Sequence, residues 1–508
     1  METWGRLPKS RIMKKNCYIF IAMMCISLSA LQAADPVYCT FDPTIRYSRV
    51  VIDAHLYDFK ANKTAAGFSK YDESGTLVTQ RNSDNKGFDY VPGLVAKAVL
   101  EAVDLYQDSA WAKPWFYSVQ AYGDAYVAEK KGGGSLDNLN AYKMYFGLYN
   151  LTKTGAKFAD ATKSAAYKTA KGNALAGLEA HNESYSITST TSQSFSGTED
   201  YTGGWWHKKD YKNEMWCDGQ YMGPALLAQL LADGYTFNNM SSTDAWNLVA
   251  KQFTMTWKKL WDSDKKLLWH AFSATPSQDT IWADQDKTST HYGVSQEYWG
   301  RAAGWYFLAL VDVLELMPTS CTYRDTLHSY LNKVAEGLAA RQQTASGEWC
   351  QLLAYNVGDT PSDSTENYLE ASASAIFTAA YLKGMRLGLF DTDYTELAKN
   401  AYQGLINNFL STDYYYLVPT CASAGLSDKR DGSAAYYLAE VGEKDTKKIT
   451  TYMEGKPFGA FILAAVEYER KYMLPTTVND QTTPTPTPNP DSGSTSQTTC
   501  HCLTVTFK

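Results

Sequence analysis

The chain has 508 residues, with 54 acidic side chains against 47 Lys and Arg and a net charge of −7. Both signs are mixed along it without a basic tract, which argues against nucleic acid as a partner, although a few local cations would suffice to hold a small anionic substrate. The 37 Tyr and 14 Trp suit proteins that hold carbohydrate faces, but large cores consume aromatics too.

Residues 1–34 read as a signal peptide. Arg11, Lys14 and Lys15 form the positive region, Cys17 to Leu31 is largely apolar, and Ala33 and Ala34 supply small residues for cleavage. Leu31 breaks a strict Ala-x-Ala site, and Met13 offers an alternative start. The apolar run is too short for a membrane span, so the expectation is export, with a periplasmic or extracellular location and no stable membrane span. Cys25 follows Met24 inside the apolar run, which argues against lipid attachment. Residues 35–85 mix short alternating runs with turn residues and are read as an irregular N-terminal arm.

From Tyr90 the pattern becomes helical. Apolar spacing predicts helices over Leu94 to Leu105, Trp111 to Lys130, Asn138 to Leu151, Asp160 to His181, Pro224 to Leu231 and Thr243 to Trp261. Others are predicted over Gly300 to Leu316, Thr322 to Gln343, Tyr368 to Leu387, Tyr394 to Leu410 and Phe458 to Lys471. They come in pairs without strand–helix alternation, so an all-α toroid of helical hairpins over 86–474 is expected. A Thr/Pro-rich stretch, 475–499, reads as a stiff linker, followed by a tail, 500–508. The cysteines show neither structural-zinc spacing nor a readable disulfide framework, and no metal or other cofactor is expected.

Chemistry-bearing residues cluster in a few stretches. Ser135 to Tyr142 places Asp137 and Asn140 at a helix start after three glycines; capping is the structural alternative. Trp205 to Leu227 is the richest, with His207, Lys208, Tyr211, Trp216 and Asp218 ahead of the helical stripe Leu226, Leu227, Leu230, Leu231. Asp218 stands where loop becomes helix, between Trp216 and Tyr221. Aromatics there can form sugar-stacking walls and exclude water, whereas a plain N-cap is the other reading. His270 lies amid aromatics and could be no more than a satisfied, partly buried residue. Trp299, Arg301 and Trp305 open another helix, where an Arg between tryptophans suits a planar carboxylate or simple surface stacking. In Thr365 to Ala375, Glu370 reads best as a cap or bridge in tight helix packing. No Gly-x-Ser-x-Gly elbow, phosphate loop or His-Glu-x-x-His site is present, while two carboxylates with aromatics and an Arg point to glycoside chemistry.

His207-Lys208, Tyr211, Met215 to Met222 and Trp299 to Trp305 together resemble glycoside hydrolase family 105, the unsaturated rhamnogalacturonyl hydrolases, which are related to the unsaturated glucuronyl hydrolases of family 88. Gly87 to Gly93, the Asp137 stretch, Asn367 to Ser374 and Gly455 to Glu467 follow in the same order, so the likeness spans about Tyr90 to Glu467. The resemblance implies an (α/α)6 barrel, no metal, and hydration of a C4–C5 double bond in a uronic acid left by a polysaccharide lyase. It implies Asp218 as general acid/base and Asp137 as second carboxylate. Tyr90, His207, Lys208, Trp216, His270, Trp299, Arg301 and Trp305 would hold the unsaturated ring and its carboxylate. Asp218 must start protonated, whereas a helix N-terminus favours the anion. Gln220 and Ala302-Ala303 depart from common family forms and bear on the leaving sugar, as does the Asn182 to Gly203 loop.

The expected substrate is therefore an unsaturated uronyl oligosaccharide from rhamnogalacturonan. The alternatives are unsaturated glucuronyl ends of other acidic polysaccharides, a non-catalytic toroid that binds acidic glycans, and a lyase on the same barrel.

Overall fold

The computed structural model describes residues 36–473 apart from 62–63, 66, 82–86, 189–199, 362–364 and 440–447. The leader, linker and tail readings, and the middle of the Asn182 to Gly203 loop, lie outside the described residues. The compact unit starts at Tyr38.

Its helices form two concentric rings. The inner ring comprises α2 (Tyr90–Leu105), α4 (Leu136–Asn140) running through a 3-10 turn into α5 (Met144–Thr152), α7 (Cys217–Met222) with α8 (Pro224–Ala232), α10 (Gly300–Leu316), α12 (Ala371–Leu387) and α15 (Gly455–Tyr472). Each of these packs on the next, and α15 closes the circle against α2. Outside them lie α3 (Lys113–Tyr126), α6 (Ala161–Ser184), α9 (Ser242–Leu260), α11 (Arg324–Ala339) and α13 (Thr395–Phe409). The sixth outer position is filled by α1 (Tyr47–His55), which packs on α15. The fold is an (α/α)6 barrel.

Sequence composition sorts the rings. Inner helices such as α10 and α15 are buried along nearly their whole length. Outer helices such as α9 bury one stripe, including Trp246, Val249, Ala250, Phe253 and Trp257, and turn Lys258 outward. One inner position is interrupted where a single helix was expected to run on, and another restarts where the sequence placed a helix start. The Asn138 to Leu151 helix breaks at Ala141–Lys143, and Pro224 starts a new helix after Gly223 because it lacks an N–H to continue the preceding one.

Closure needs a close approach of α15 to α2. A Cβ on Gly455 would lie 2.5 Å from Val91 Cγ1, and one on Gly459 would lie 2.7 Å from Leu94 Cγ. Below that contact, Lys97 and Glu101 of α2 meet, Lys383 of α12 bonds Asp312 of α10 (2.6 Å), and Arg386 bonds Glu467 of α15 (2.6 and 2.8 Å). The Lys383–Asp312 and Arg386–Glu467 pairs cross the seams between inner helices, and the buried Asp312 or Glu467 left alone would be an uncompensated charge.

The arm supplies more than a strap. Beside short strand pairs β1 (Lys60–Ala61) with β2 (Thr64–Ala65), and β3 (Lys70–Tyr71) with β4 (Leu77–Thr79), it provides α1. Ser48 donates from its backbone (2.9 Å) and hydroxyl (2.5 Å) to Glu469 of α15, which also accepts from Tyr106 (2.8 Å). Burial pushes the Glu469 carboxyl up to about 7, and the hydrogen bonds from Ser48 and Tyr106 oppose that rise. Ile52 on α1 is fully buried. If α1 is part of the closed ring, Ile52→Ala costs about 2–5 kcal/mol in denaturant unfolding. A loss below about 0.5 kcal/mol, as for a surface substitution, would show the arm to be peripheral.

Candidate active site

The N-termini of the inner helices gather at one end of the barrel around a cavity of about 850 Å³. Asp89, Asp137, Asp218, Arg301 and Glu454, each at the start of a different inner helix, all line it.

Two short pairings bring the central residues together. Strand β5 (Glu214–Trp216) runs antiparallel to β6 (Ala271–Ser273), with Trp216 opposite Ala271, and Cys217 donates its N–H to the His270 carbonyl (3.0 Å). Asp218 and His270 are thereby neighbours, with Oδ2 and Nε2 3.3 Å apart. The segment around His207 pairs on both sides. His207 donates to the Glu214 carbonyl (2.9 Å), and its own carbonyl accepts from Leu136 (3.1 Å). That fastens Asp137 between His207 (3.1 Å) and Lys208 (2.6 Å).

The two carboxylates are differently served. Burial would raise Asp137, but Lys208 and His207 outweigh it and hold the carboxyl well below the usual carboxylate range. Asp218 lies in the first turn of α7, whose N-cap is Trp216; it is not itself the cap. Its Oδ2 is buried, and despite the proximity of His270 it has no aligned hydrogen bond among the described residues. His270 is fully buried, and that burial lowers its pKa against the opposing pull of Asp218. Its Nδ1 meets the Tyr437 hydroxyl at 2.7 Å.

Aromatic rings make one wall. Tyr211 stacks on Trp216 (4.9 Å, 4°), and Trp216 stacks on His207 (5.2 Å, 13°). Such a column offers a flat apolar face of the kind sugars pack against. Tyr90, also on the cavity, has its phenol raised well above 10 by burial and then by Asp137. Across from it, Arg301 packs over Trp299 (4.6 Å) and donates from Nη1 to Ser372 Oγ (3.0 Å) and the Cys421 carbonyl (2.6 Å). The guanidinium is thus fixed in place at the cavity wall. Glu370 stands 4.0 Å behind it and, as its sequence suggested, caps α12 through Ala373 N–H (2.6 Å).

Several expectations are not met. Trp305 is buried inside the barrel, stacked on Tyr221 at 4.7 Å, and does not reach the cavity. It follows Arg301 by four residues, one turn deeper along α10. Gln220 turns toward α9 and donates to Thr256 Oγ1 (2.8 Å), and Ala302 and Ala303 are buried, so none of the three faces a leaving sugar. Conversely, Asp89, Tyr211, Arg430, Tyr452 and Glu454 line the cavity without having been singled out as site residues. Asp89 could have been found as the N-cap of α2, where it accepts from Val91 N–H (2.8 Å). Arg430 carries no sequence signal, because only loop packing brings it to the rim. Among the described residues there is no group of three or more His, Cys, Asp or Glu placed to hold a metal ion. Nor is any helix there long and apolar enough to cross a membrane.

An (α/α)6 barrel whose cavity is lined by two carboxyls and a stacked aromatic wall, with a buried imidazole behind one of the carboxyls, suits a glycoside hydrolase. The chain belongs to Glycosyl Hydrolase Family 88, whose family model matches residues 61–472. It is 26% identical to a solved family 105 glycoside hydrolase from C. acetobutylicum, covering 84% of this chain and 100% of that one with a TM-score of 0.60. A protein of Agrobacterium fabrum is 34% identical over 167 residues, which is 31% of this chain and 68% of that protein. An unsaturated 3S-rhamnoglycuronyl hydrolase of Formosa agariphila is 26% identical over 191 residues, 37% of this chain and 45% of that enzyme.

The Asp137 pairing has a pH signature. A carboxyl depressed by folding contributes stability that is fully present above its unfolded value, about 4, and lost as pH falls through the folded one. Asp137→Asn should therefore lower the melting temperature at pH 7 and flatten its fall below pH ~4. A variant that melts in parallel with wild type across that range would show that the pair adds nothing.

Proposed function

We propose that the protein removes a 4,5-unsaturated uronic acid from the non-reducing end of lyase-generated oligosaccharides, with unsaturated rhamnogalacturonan fragments as substrate. The observation that carries this reading is the placement of Asp218. It is the cavity carboxylate at an inner-helix start without a cap bond or a lysine or arginine on its oxygens, next to the buried His270 and under the Trp216 wall. The substrate class rests on the family, on the resemblance of the motif blocks, and on the name of the Formosa relative.

In this mechanism Asp218, in its acid form, gives a proton to C4 of the double bond. Positive charge develops at C5 and on the ring oxygen, and water adds at C5 while the Asp218 carboxylate takes the proton that this water releases. The C5 hemiketal then opens, and the neighbouring sugar leaves from the resulting hemiacetal at C1. The ring would rest against Trp216 and Trp299, with its carboxylate on the Arg301 side. Asp137, kept ionised by Lys208 and His207, accepts hydrogen bonds from ring hydroxyls.

Loss of the ultraviolet absorbance of the conjugated enol-carboxylate tests this directly. Wild type should bleach unsaturated rhamnogalacturonan oligosaccharides faster than unsaturated glucuronyl ones, and Asp218→Asn should lower kcat about 10²- to 10⁴-fold. Folded wild type that bleaches neither set would overturn the reading, and rising absorbance on intact pectin would mean a lyase.

Residues 1–34 are proposed to direct export and to be removed. N-terminal sequencing of protein recovered from the exported fraction should then begin at Asp35 or Ala34, whereas an intact leader would reject the proposal.

A further inference from the structure

His270 is caged. Its ring lies 4.9 Å edge-on from Trp216 and 4.7 Å from Trp299, and the side chain is fully buried. Among the described residues, its two nitrogens face the Tyr437 hydroxyl, 2.7 Å from Nδ1, and Asp218 Oδ2, 3.3 Å from Nε2. Tyr437 comes from α14 (Ala434–Leu438), a short helix whose Ser433 caps Tyr436 N–H (3.2 Å). Gln351 holds Tyr437 to the site, accepting from Trp299 Nε1 (3.1 Å) and donating to the Tyr437 carbonyl (3.1 Å).

We propose that Tyr437 is a positioning residue for the acid catalyst. Its hydroxyl donates to His270 Nδ1, keeps the imidazole proton on Nε2, and so directs that N–H at Asp218 Oδ2, leaving Oδ1 to exchange protons with the substrate. The argument is a count of protons. A phenol has one proton to donate, and His270 Nδ1 is the hydrogen-bond partner of the Tyr437 hydroxyl among the described residues. With the ring proton on Nδ1, two donors would share that contact unevenly. The phenol proton would be buried without an acceptor, and Nε2 would turn a lone pair on a carboxylate oxygen. With the proton on Nε2, the Tyr437 hydroxyl has its acceptor in Nδ1, and the Nε2 hydrogen faces Asp218 Oδ2 across the 3.3 Å gap.

The Nε2–Oδ2 contact is buried, and neither atom has an aligned hydrogen bond. It is therefore placed to shorten when charge appears on Oδ2. As Oδ1 gives its proton to the substrate, the negative charge is shared with Oδ2, and the His270 N–H stabilises it by a charge-assisted bond. When Oδ1 takes the proton released by water, the same bond relaxes. No proton travels along the row, so Tyr437 and His270 start and finish each turnover unchanged. The other ionisable groups facing the row are His207 and Arg301 near His270, and Glu297, Tyr436 and Cys421 near Tyr437. Burial holds the Tyr437 phenol well above 10, so it stays a donor at neutral pH.

The test uses the full chain. The ¹⁵N resonances of His270 should show Nε2 protonated in wild type and a mixture of both tautomers in Tyr437→Phe, which keeps the ring and removes only the hydroxyl. A wild-type proton on Nδ1, or an unchanged tautomer in Tyr437→Phe, overturns the proposal, and the wild-type arm holds even if the variant folds poorly. In turnover, Tyr437→Phe should lower kcat about tenfold to a hundredfold with KM unchanged. In a His270→Gln background the same change should cost nothing further. A wild-type kcat, or an equal loss in both backgrounds, would leave Tyr437 a packing residue only. The kinetic arm rests on the uronyl hydrolase reading, whereas the tautomer arm needs no substrate, so the two can fail separately.

Discussion

Six helix starts meeting at one end of a ring is the constraint on which this molecule depends. Each start leaves backbone N–H groups unpaired and the positive end of a dipole exposed, so the end of the barrel attracts anions. The chain answers with acids. Asp89, Glu370 and Glu454 each accept a backbone N–H at the start of their own helix. Asp137 is met by His207 and Lys208. Asp218 differs from all of these, since it makes neither a cap bond nor a lysine or arginine pair. On the proposed reading, this is the carboxyl that meets the substrate. The same dipoles favour an anionic sugar entering beside it.

The barrel and the loops divide the labour. Inner helices fix the backbone positions of the acids, and ion pairs cross the seams between those helices. Loops bring the aromatics and the cations. The wall of Tyr211, Trp216 and His207 comes from the segment between α6 and α7, and its register is set by short pairings with Leu136 and β6. Arg301 shows the two layers meeting. Its backbone is helical, but its guanidinium is aimed by the Cys421 carbonyl and by Ser372, itself bonded to Glu370. The Arg301 guanidinium is thus held by the backbone and a hydroxyl, with the Glu370 carboxylate 4.0 Å behind it.

How much of this could be read from sequence follows from the range of each cause. Helix identity is local, so α10 was placed over Gly300 to Leu316 as it stands. Asp218 was legible because its neighbours in sequence are its neighbours in space. Trp305 was misplaced for the same local reason, since motif adjacency to Arg301 ignores that one helical turn moves a side chain down into the barrel. The break at Ala141–Lys143 was not seen, because apolar spacing carries through it, whereas the helix start at Pro224 was placed as it stands. Arg430, Glu454 and Tyr437 reach the site through chain closure, and nothing within a few residues of them announces it. The arm was the largest omission in substance: α1 has a buried face, Val50, Val51, Ile52 and His55, but it is one short helix whose partner lies at the other end of the chain.

That partnership makes the site a property of the whole ring. Glu454 lines the cavity from the first residue before α15. The α15 helix is held on one side by α2, through a contact that admits no Cβ at Gly455 or Gly459, and on the other by α12. Its outer face is covered by α1, which is anchored to Glu469. Loosening α1 would therefore act first on α15, then on the α15–α2 seam, and through Asp89 and Glu454 on the rim of the cavity. In a linear array such damage would stop at the nearest neighbour. In a closed ring the seam that opens is shared by the first and last inner helices, and both carry an acid to the site.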